Sequence, residues 1–483
     1  MSEEYDPSTP SQAYNIMEPT WCMIDDILEG AKAIRCKSTL YLPQYPAEDD
    51  KEYRRRLFST PWRPEFVDAL ESLASKPFGK EVTIGKGASA AMMAFSEDVD
   101  GRGNNLTAFA REVFRAGIAK GMGAILVDFP TMPRGATLAD EKAAGARPYW
   151  APVRADDILA LYTTFVGSKE IISHVRIREV ATVRQGAGEV CVERVRVYEP
   201  GRWELWQRRA KENGTGFELV DEGTMTIPLV PLALFWTGER EGSQKVKPPL
   251  LDLADMQIEL YRKLSRQDEI ETYAGSPMLQ AQGVAKPPAG EEVVVGPKTI
   301  LYAPAGQDSS TQPGFSYVSP NPALLTEIRE GIKQTVDDMR RLAMQPMTQK
   351  SGTVTATATS VESAKAHSVV EAWALGLKDV LEQAFVFTSQ WLGENATVEV
   401  EVNTDFSVEQ NAQAPLTALK DARASGDLSH RDYLYGLRRF GVLPPDADID
   451  ALVQAAIDES PSPDTEDEIA ASVTPLRLAV GGY

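Results

Sequence analysis

Residues 322–393 read PALLTEIREGIKQTVDDMRRLAMQPMTQKSGTVTATATSVESAKAHSVVEAWALGLKDVLEQAFVFTSQWLG, two helical segments around a Ser/Thr/Gly-rich break. In the first, Leu324, Ile328, Ile332, Val336, Met339 and Leu342 recur every three or four residues, the period of an amphipathic helix. Pro346 lacks an N–H and clashes with the preceding turn, so this helix ends near Met344 or Gln345. Met347 to Ala358 contains SGTVTATA, whose Gly, Ser, Thr and Val weaken a helix; the alternation from Thr353 to Thr359 also admits a strand or an ordinary surface connection. Thr359 and Glu362 then form a capping box, and Val370, Trp373, Leu377, Leu381, Ala384, Phe385, Thr388 and Trp391 mark one apolar face, with Gly393 as the stop. From Thr359 to Leu392 such a helix is about 50 Å long, a spine for a large body.

Upstream, Leu250–Tyr273 is helical, with Leu253, Met256, Leu260 and Leu264 on one stripe and Ile258 and Tyr261 beside it. Between the two helices, Met278–Pro320 holds the strand runs EEVVV, TILYAP and FSYVS among Pro and Gly, which reads as an antiparallel stalk with a β cap. Further out, Thr20–Ala33 reads as one helix with Asp25, Asp26 and Glu29 outward. Lys51–Phe58, Pro64–Ser75 and Leu106–Lys120 also keep helical period, and AILVDFP at 124–130 is a strand signal ended by Pro130. Thr131–Arg147 reads as an exposed loop. From Lys169 to Trp236, short alternating runs broken by RQGAGE, YEPGR and KENGTG predict antiparallel hairpins, and the strand IPLVPLALF closes an α+β lobe. Downstream of the spine, TVEVEVNTDF at 397–406 alternates as a strand returning to that lobe. Residues 414–424, 429–440 and 448–458 are short helices, and SPSPDTEDE at 460–468 has the composition of a disordered tail.

Seventy acidic against fifty basic residues give a net charge of −20. Tight non-specific binding to nucleic acid needs phosphate neutralisation, so any DNA contact is expected to be weak or local. Cys22, Cys36 and Cys191 stand far apart, without paired spacing, as in a reducing compartment. The start MSEEYDPSTP lacks the apolar run of a signal peptide, and the most apolar window, 227–236, is too short to span a bilayer; no membrane partner is expected.

Motifs that carry chemistry are missing from the sequence. GKGAS at 85–89 lacks the spacer of a phosphate loop, and GRGNNL at 101–106 lacks the third glycine of a dinucleotide fingerprint and marks a turn into a helix. His174, His367 and His430 stand alone, and no G-x-S-x-G elbow occurs. The run Arg54, Arg55, Arg56 reads as a solvated face or an ion-pair partner. No catalytic residue, metal site or cofactor is assigned, which points to a structural protein rather than an enzyme.

The blocks YPAEDDKEYRRRL, LVDFP, RPYWAPVRADDIL, IPLVPL, PPLLDLADMQIELYRKLSRQDE and SVESAKAHSVVEAWALGLKDVLEQA, from about Tyr41 to Gly393, resemble tailed-bacteriophage portal proteins of the DUF4055 type. The resemblance implies an α+β portal fold: N-terminal helices and α/β wing at 1–248, a two-helix stem at 249–275 and 322–346, and a small β clip at 276–321. It further implies a tunnel loop at 347–358, the long spine helix at 359–393, a strand returning to the wing at 394–408, a helical crown at 409–458 and an acidic flexible tail at 459–483.

By the same resemblance the chain assembles into a dodecameric ring at the unique capsid vertex of a virion, after assembly in the host cytoplasm. That ring is the head-tail connector, the conduit for genome packaging and ejection. The implied partners are further copies of the chain, the major capsid protein, the terminase large subunit, the head-tail adaptor and double-stranded DNA held weakly in the channel. In the tunnel loop, Gln349, Lys350, Ser351, Thr353, Thr355 and Thr357 are the candidates for facing DNA. In the clip, Val293, Val294, Val295, Ile300, Leu301 and Tyr302 are the candidates for contact between subunits, because a few short strands alone bury too little to be stable. Another virion component, a scaffold or adaptor, and an acidic cytoplasmic enzyme are the alternative readings.

Overall fold

The computed structural model describes residues 5–85, 88–130, 140, 143–209, 216–274, 278–282, 300–303, 314–318, 322–343, 356–394, 396–404, 406, 413–439, 442–443 and 448–458. The chain divides into two compact units, Met1–Thr404 and Asp405–Tyr483.

The first unit opens with α1 (Gln12–Glu29), α2 (Ala31–Cys36), α3 (Asp50–Ser59), α4 (Glu65–Ser75), β1 (Thr83–Ile84), α5 (Ala90–Ser96) and α6 (Leu106–Lys120). Strands β2 (Met122–Asp128), β3 (Tyr149–Arg154), β4 (Ile158–Val166), β5 (Lys169–Gln185), β6 (Gly188–Glu199), β7 (Arg202–Arg208), β8 (Phe217–Thr224) and β9 (Leu232–Trp236) follow. After the small pair β10 (Glu239–Arg240) and β11 (Val246–Lys247) come α7 (Leu251–Ala274), β12 (Met278–Gln282), β13 (Ile300–Ala303) and β14 (Gly314–Val318). Helices α8 (Pro322–Leu342) and α9 (Ala356–Trp391) and strand β15 (Val400–Glu401) complete it. This is the mixed α+β class expected.

Two sheets form the body: β3-β2-β9, all antiparallel, and the meander β4-β5-β6-β7-β8. Helix α6 shows why its sequence is a helix at both ends. Asn105 Oδ1 accepts from the Ala108 N–H at 2.9 Å, and Gly121 at φ +83° turns its N–H back to the Gly117 carbonyl at 2.7 Å. Its buried face, Phe109, Val113, Phe114 and Ile118, packs beside strand β2, which is buried from Met122 to Val127. Trp150 of β3, fully buried, sits among Phe95, Phe109 and Phe385 at ring separations of 5.4, 5.6 and 4.9 Å. In the meander, Gly186 at φ +63° turns β5 into β6, and Gly201 at φ +75° turns β6 into β7. The two sheets are tied by Asp128, which accepts from Arg196 Nη1 at 2.6 Å and from the Tyr149 hydroxyl at 3.0 Å, while Arg196 also pairs with Glu179.

Several expectations change. The helix expected over Thr20–Ala33 begins at Gln12 and breaks at Gly30, whose φ of +82° continues no helix, so α2 is separate. Asp25 and Asp26 do not face outward: Lys120, 3% exposed, reaches Asp25 at 2.7 Å and Asp156 at 2.5 Å, and Asp26 accepts from the Tyr41 hydroxyl at 2.6 Å. The IPLVPLALF run is a strand only from Leu232, beyond the ring-locked Pro228 and Pro231, and it joins β2 rather than the meander. TVEVEVNTDF pairs at only Val400 and Glu401, opposite β1; the Val400 N–H already bonds to Glu382 Oε1 at 3.0 Å. Most of Thr131–Arg147 and all of 460–468 lie outside the described residues.

The second unit holds α10 (Gln413–Ala424), α11 (His430–Arg439) and α12 (Ile449–Asp458), within a residue of the expected bounds. Ser429 Oγ caps α11 through the Asp432 N–H at 3.1 Å, and Asp448 Oδ1 caps α12 through Asp450 and Ala451 at 3.0 and 3.1 Å. Gly436 lets α10 and α11 approach: a Cβ there would meet Leu419 at 2.8 Å.

Candidate functional site

The candidate site is the assembly α7, β12–β14, α8 and α9. At about 1.5 Å per residue, α7, α8 and α9 measure about 36, 32 and 54 Å. Helices α7 and α8 pack together, and Leu260 and Leu264 of the one and Ile332, Val336 and Met339 of the other are buried. Polar bonds fix their register: Lys263 Nζ donates to Thr335 Oγ1 at 2.8 Å, and Arg329 Nη2 meets Glu271 Oε1 at 2.9 Å. That arginine, after the Gln267 amide, holds the Glu271 carboxyl below the usual range. Leu342, expected on the apolar stripe, is 48% exposed; Ala343 is buried in its place. Helix α7 is buried beyond its stripe because α1, α3 and α4 cover it as well as α8.

The hairpin is footed in the N-terminal helices by buried polar groups. Gln257 accepts from the Phe66 N–H at 3.0 Å and donates to the Arg63 carbonyl at 2.7 Å. Arg56 meets Glu48 through Nε and Nη2, both at 2.7 Å, and donates to the Pro43 carbonyl at 2.8 Å and to Ser265 Oγ on α7 at 3.4 Å. Ser59 Oγ donates to Asp268 at 2.6 Å, and Tyr45 caps the guanidinium of Arg56 at 4.2 Å from its ring centre. The side chains of Arg56 and Glu48 are 3% and 7% exposed, and the guanidinium holds the Glu48 carboxyl below the usual carboxylate range. The basic run thus divides: Arg54 and Arg55 are exposed, whereas Arg56 is an ion-pair partner. Spacing carried that signal, since Tyr53, Arg56 and Leu57 share one helical face.

Helix α9 is seated from Val370 onward. Trp373 Nε1 donates to the Thr237 carbonyl at 3.0 Å, Trp391 Nε1 to the Val127 carbonyl at 3.1 Å, and Trp150 Nε1 to Thr388 Oγ1 at 2.8 Å. Leu377, Leu381, Ala384 and Phe385 are fully buried beneath it. The helix starts at Ala356 rather than Thr359, so the capping-box residues lie inside it. Thr357 therefore belongs to its first turn and not to the expected loop: with no proline or glycine after Gly352, the chain can take helical angles before Thr359. Gln349, Lys350, Ser351, Thr353 and Thr355 lie outside the described residues.

The β module is a three-stranded sheet of order β13-β12-β14. Ile300, Leu301 and Tyr302 form β13, parallel to Leu279, Gln280 and Ala281 of β12, while β14 runs antiparallel along the other side. Val293, Val294 and Val295 lie outside the described residues. The central strand, MLQAQ, is weakly signalled in the sequence: it has no β-branched or aromatic residue, and its alternation of Leu279 and Ala281 with two glutamines is only four residues long. Among the described residues, β13 and β14 each pair on one side only, the condition in which a further strand can add.

Residues 249–392 match the family model of the domain of unknown function DUF4055. The matched span opens two residues before α7 and closes one after α9, so it takes in the hairpin, the β module and the long helix. No curated protein matches the chain. Among solved structures, the neck of an empty GTA particle computed with C6 symmetry is similar at 11% identity and TM-score 0.41, over 78% of this chain and 90% of that one. The virion of a native gene transfer agent particle is similar at 12% identity and TM-score 0.41, over 85% and 99%. At this level these likenesses carry nothing further. Among the described residues no group of metal-ligating side chains occurs, and no helix is long and apolar enough to cross a membrane.

Proposed function

We propose that this chain is a portal-type structural protein of a virion, forming a ring at one capsid vertex through which DNA passes during packaging and ejection. One observation carries the reading: the DUF4055 match coincides with a continuous order of helix, β module, helix, break and 36-residue helix. That order is the stem, clip, tunnel loop and spine implied by the sequence resemblance. Each part has a mechanical role in the proposal. The hairpin α7–α8, footed through Arg56 and Gln257, transmits load between the β module and the body. The segment 344–355 joins the buried end of α8 at Ala343 to the start of α9, where Lys350 would touch passing phosphates. A net charge of −20 suits a conduit, because every cation placed on phosphate adds affinity and therefore drag. The major capsid protein, terminase and head-tail adaptor are its proposed partners, and dodecamer its proposed state. Negative-stain images of the purified chain should show closed rings with a central channel. Uniform monomers at micromolar concentration would overturn the proposal.

A further inference from the structure

Helix α3 presents opposite chemistry on its two sides. Tyr53, Arg56 and Leu57 are buried, and the bonds from Arg56 to Ser265 and from Ser59 to Asp268 fix the helix against α7. On the outer side Lys51, Arg54, Arg55 and Phe58, all exposed, fall within an arc of about 100° over about 10 Å of helix. Phe58, near the middle of that arc, is 66% exposed. Among the described residues the salt bridges of α3 run through Arg56 alone, to Glu48 and Glu269, which leaves Lys51, Arg54 and Arg55 without one. The acidic residues of the helix, Asp50 and Glu52, flank the face in the first turn, where the helix dipole favours them.

We propose that this face of α3 docks an acidic protein segment that carries an apolar side chain among its carboxylates; the proposal stands independently of the ring reading. Charge sets the class of partner: residues 30–63 hold eight basic and four acidic residues in a chain of net charge −20, so the face belongs to a cationic island. Phe58 separates the two polyanions that could use it. Duplex DNA offers phosphates at its surface and keeps its bases stacked inside, so Phe58 would gain no partner there. A peptide supplies both parts: carboxylates pair bidentately with arginine, and an aromatic ring beside arginine is the composition of protein interfaces. An extended chain advances about 3.3 Å per residue, so three or four residues cover the face, with carboxylates on either side of the apolar one. A merely solvated helix face needs the cations and not the phenylalanine. Because buried bonds seat the far side of α3, the face is offered without the cost of ordering its backbone.

The full chain is titrated against a fluorescein-labelled twelve-residue peptide of Glu and Asp with one central Leu, and binding is read by anisotropy. Arg54→Glu with Arg55→Glu should weaken binding at least about tenfold, and Phe58→Gln about tenfold, as a buried aromatic contact is lost. Melting temperatures should stay at the parent's value, because these side chains are exposed. Lys169→Glu with Arg184→Glu, an equal change of charge on β5, should alter binding less than about twofold. The peptide with Ser in place of its Leu should bind the parent about tenfold more weakly. Equal weakening by the two pairs of charge reversals, or no effect of Phe58→Gln, would overturn the proposal. So would displacement of the peptide by a twelve-base-pair duplex whose own binding needs Arg54 and Arg55, or no binding at about 1 mM peptide.

Discussion

Replacing Arg56 by Met tests whether the hairpin is held by its buried footing. The substitution keeps most of the apolar stem but leaves Glu48, 7% exposed, without the guanidinium that it meets at 2.7 Å through two nitrogens. An uncompensated buried carboxylate costs about 3 to 5 kcal/mol, whereas an exposed pair such as Arg341 with Asp338 contributes at most about 1 kcal/mol. Urea unfolding followed by tryptophan fluorescence isolates the effect, since all eight tryptophans lie within the first unit. Arg56→Met should lose about 3 kcal/mol or more at pH 7, Arg341→Met under about 1, and Arg56→Met with Glu48→Gln less than the sum of its parts. The sign with pH follows from the lowered Glu48 carboxyl. Its contribution is fully present above the unfolded value of about 4.3 and is lost as pH falls through the lower folded value. The parent should therefore lose this increment in acid, and Arg56→Met should not. Equal losses for Arg56→Met and Arg341→Met would refute the reasoning.

Gly117→Ala places a Cβ 2.5 Å from the Phe235 ring and should destabilise by about 1 to 3 kcal/mol, whereas Gly331→Ala, with nothing within 4 Å, should stabilise α8 by up to about 1; thermal melts distinguish them. The purified protein should bind duplex DNA no tighter than about 10⁻⁶ M at physiological salt, measured by fluorescence anisotropy; salt-resistant submicromolar binding would contradict a low-drag channel. A stiff helix-forming run in place of Ser351–Thr355 should leave assembly intact and impair packaging or DNA retention; full infectious heads at the normal rate would make the segment a mere connection.

Where local chemistry decided the outcome, the sequence was readable. Helix α6 ends as expected because Asn105 and Gly121 act within one turn, and the hairpins of the meander follow from Gly186 and Gly201. Long-range pairing was not readable. TVEVEVNTDF has strand alternation along its length, yet it is limited to two residues by what stands opposite it, the short β1. MLQAQ becomes the central strand of the β module because its neighbours on both sides supply the ladder. Lys120, Asp25 and Asp156 come from three separate elements, and no spacing announces their meeting. Of the site, the two hairpin helices and the long helix were legible from periodicity. Their footing was only hinted at by Arg56 sharing a face with Tyr53 and Leu57.

The mass of the assembled species in solution tests the central claim most directly. Mass photometry of the full chain at its assembling concentration should give one dominant species with the mass of twelve 52.9 kDa chains, without a ladder of larger open polymers. A monomer that persists at every concentration, or an open-ended series of polymers, would contradict the account.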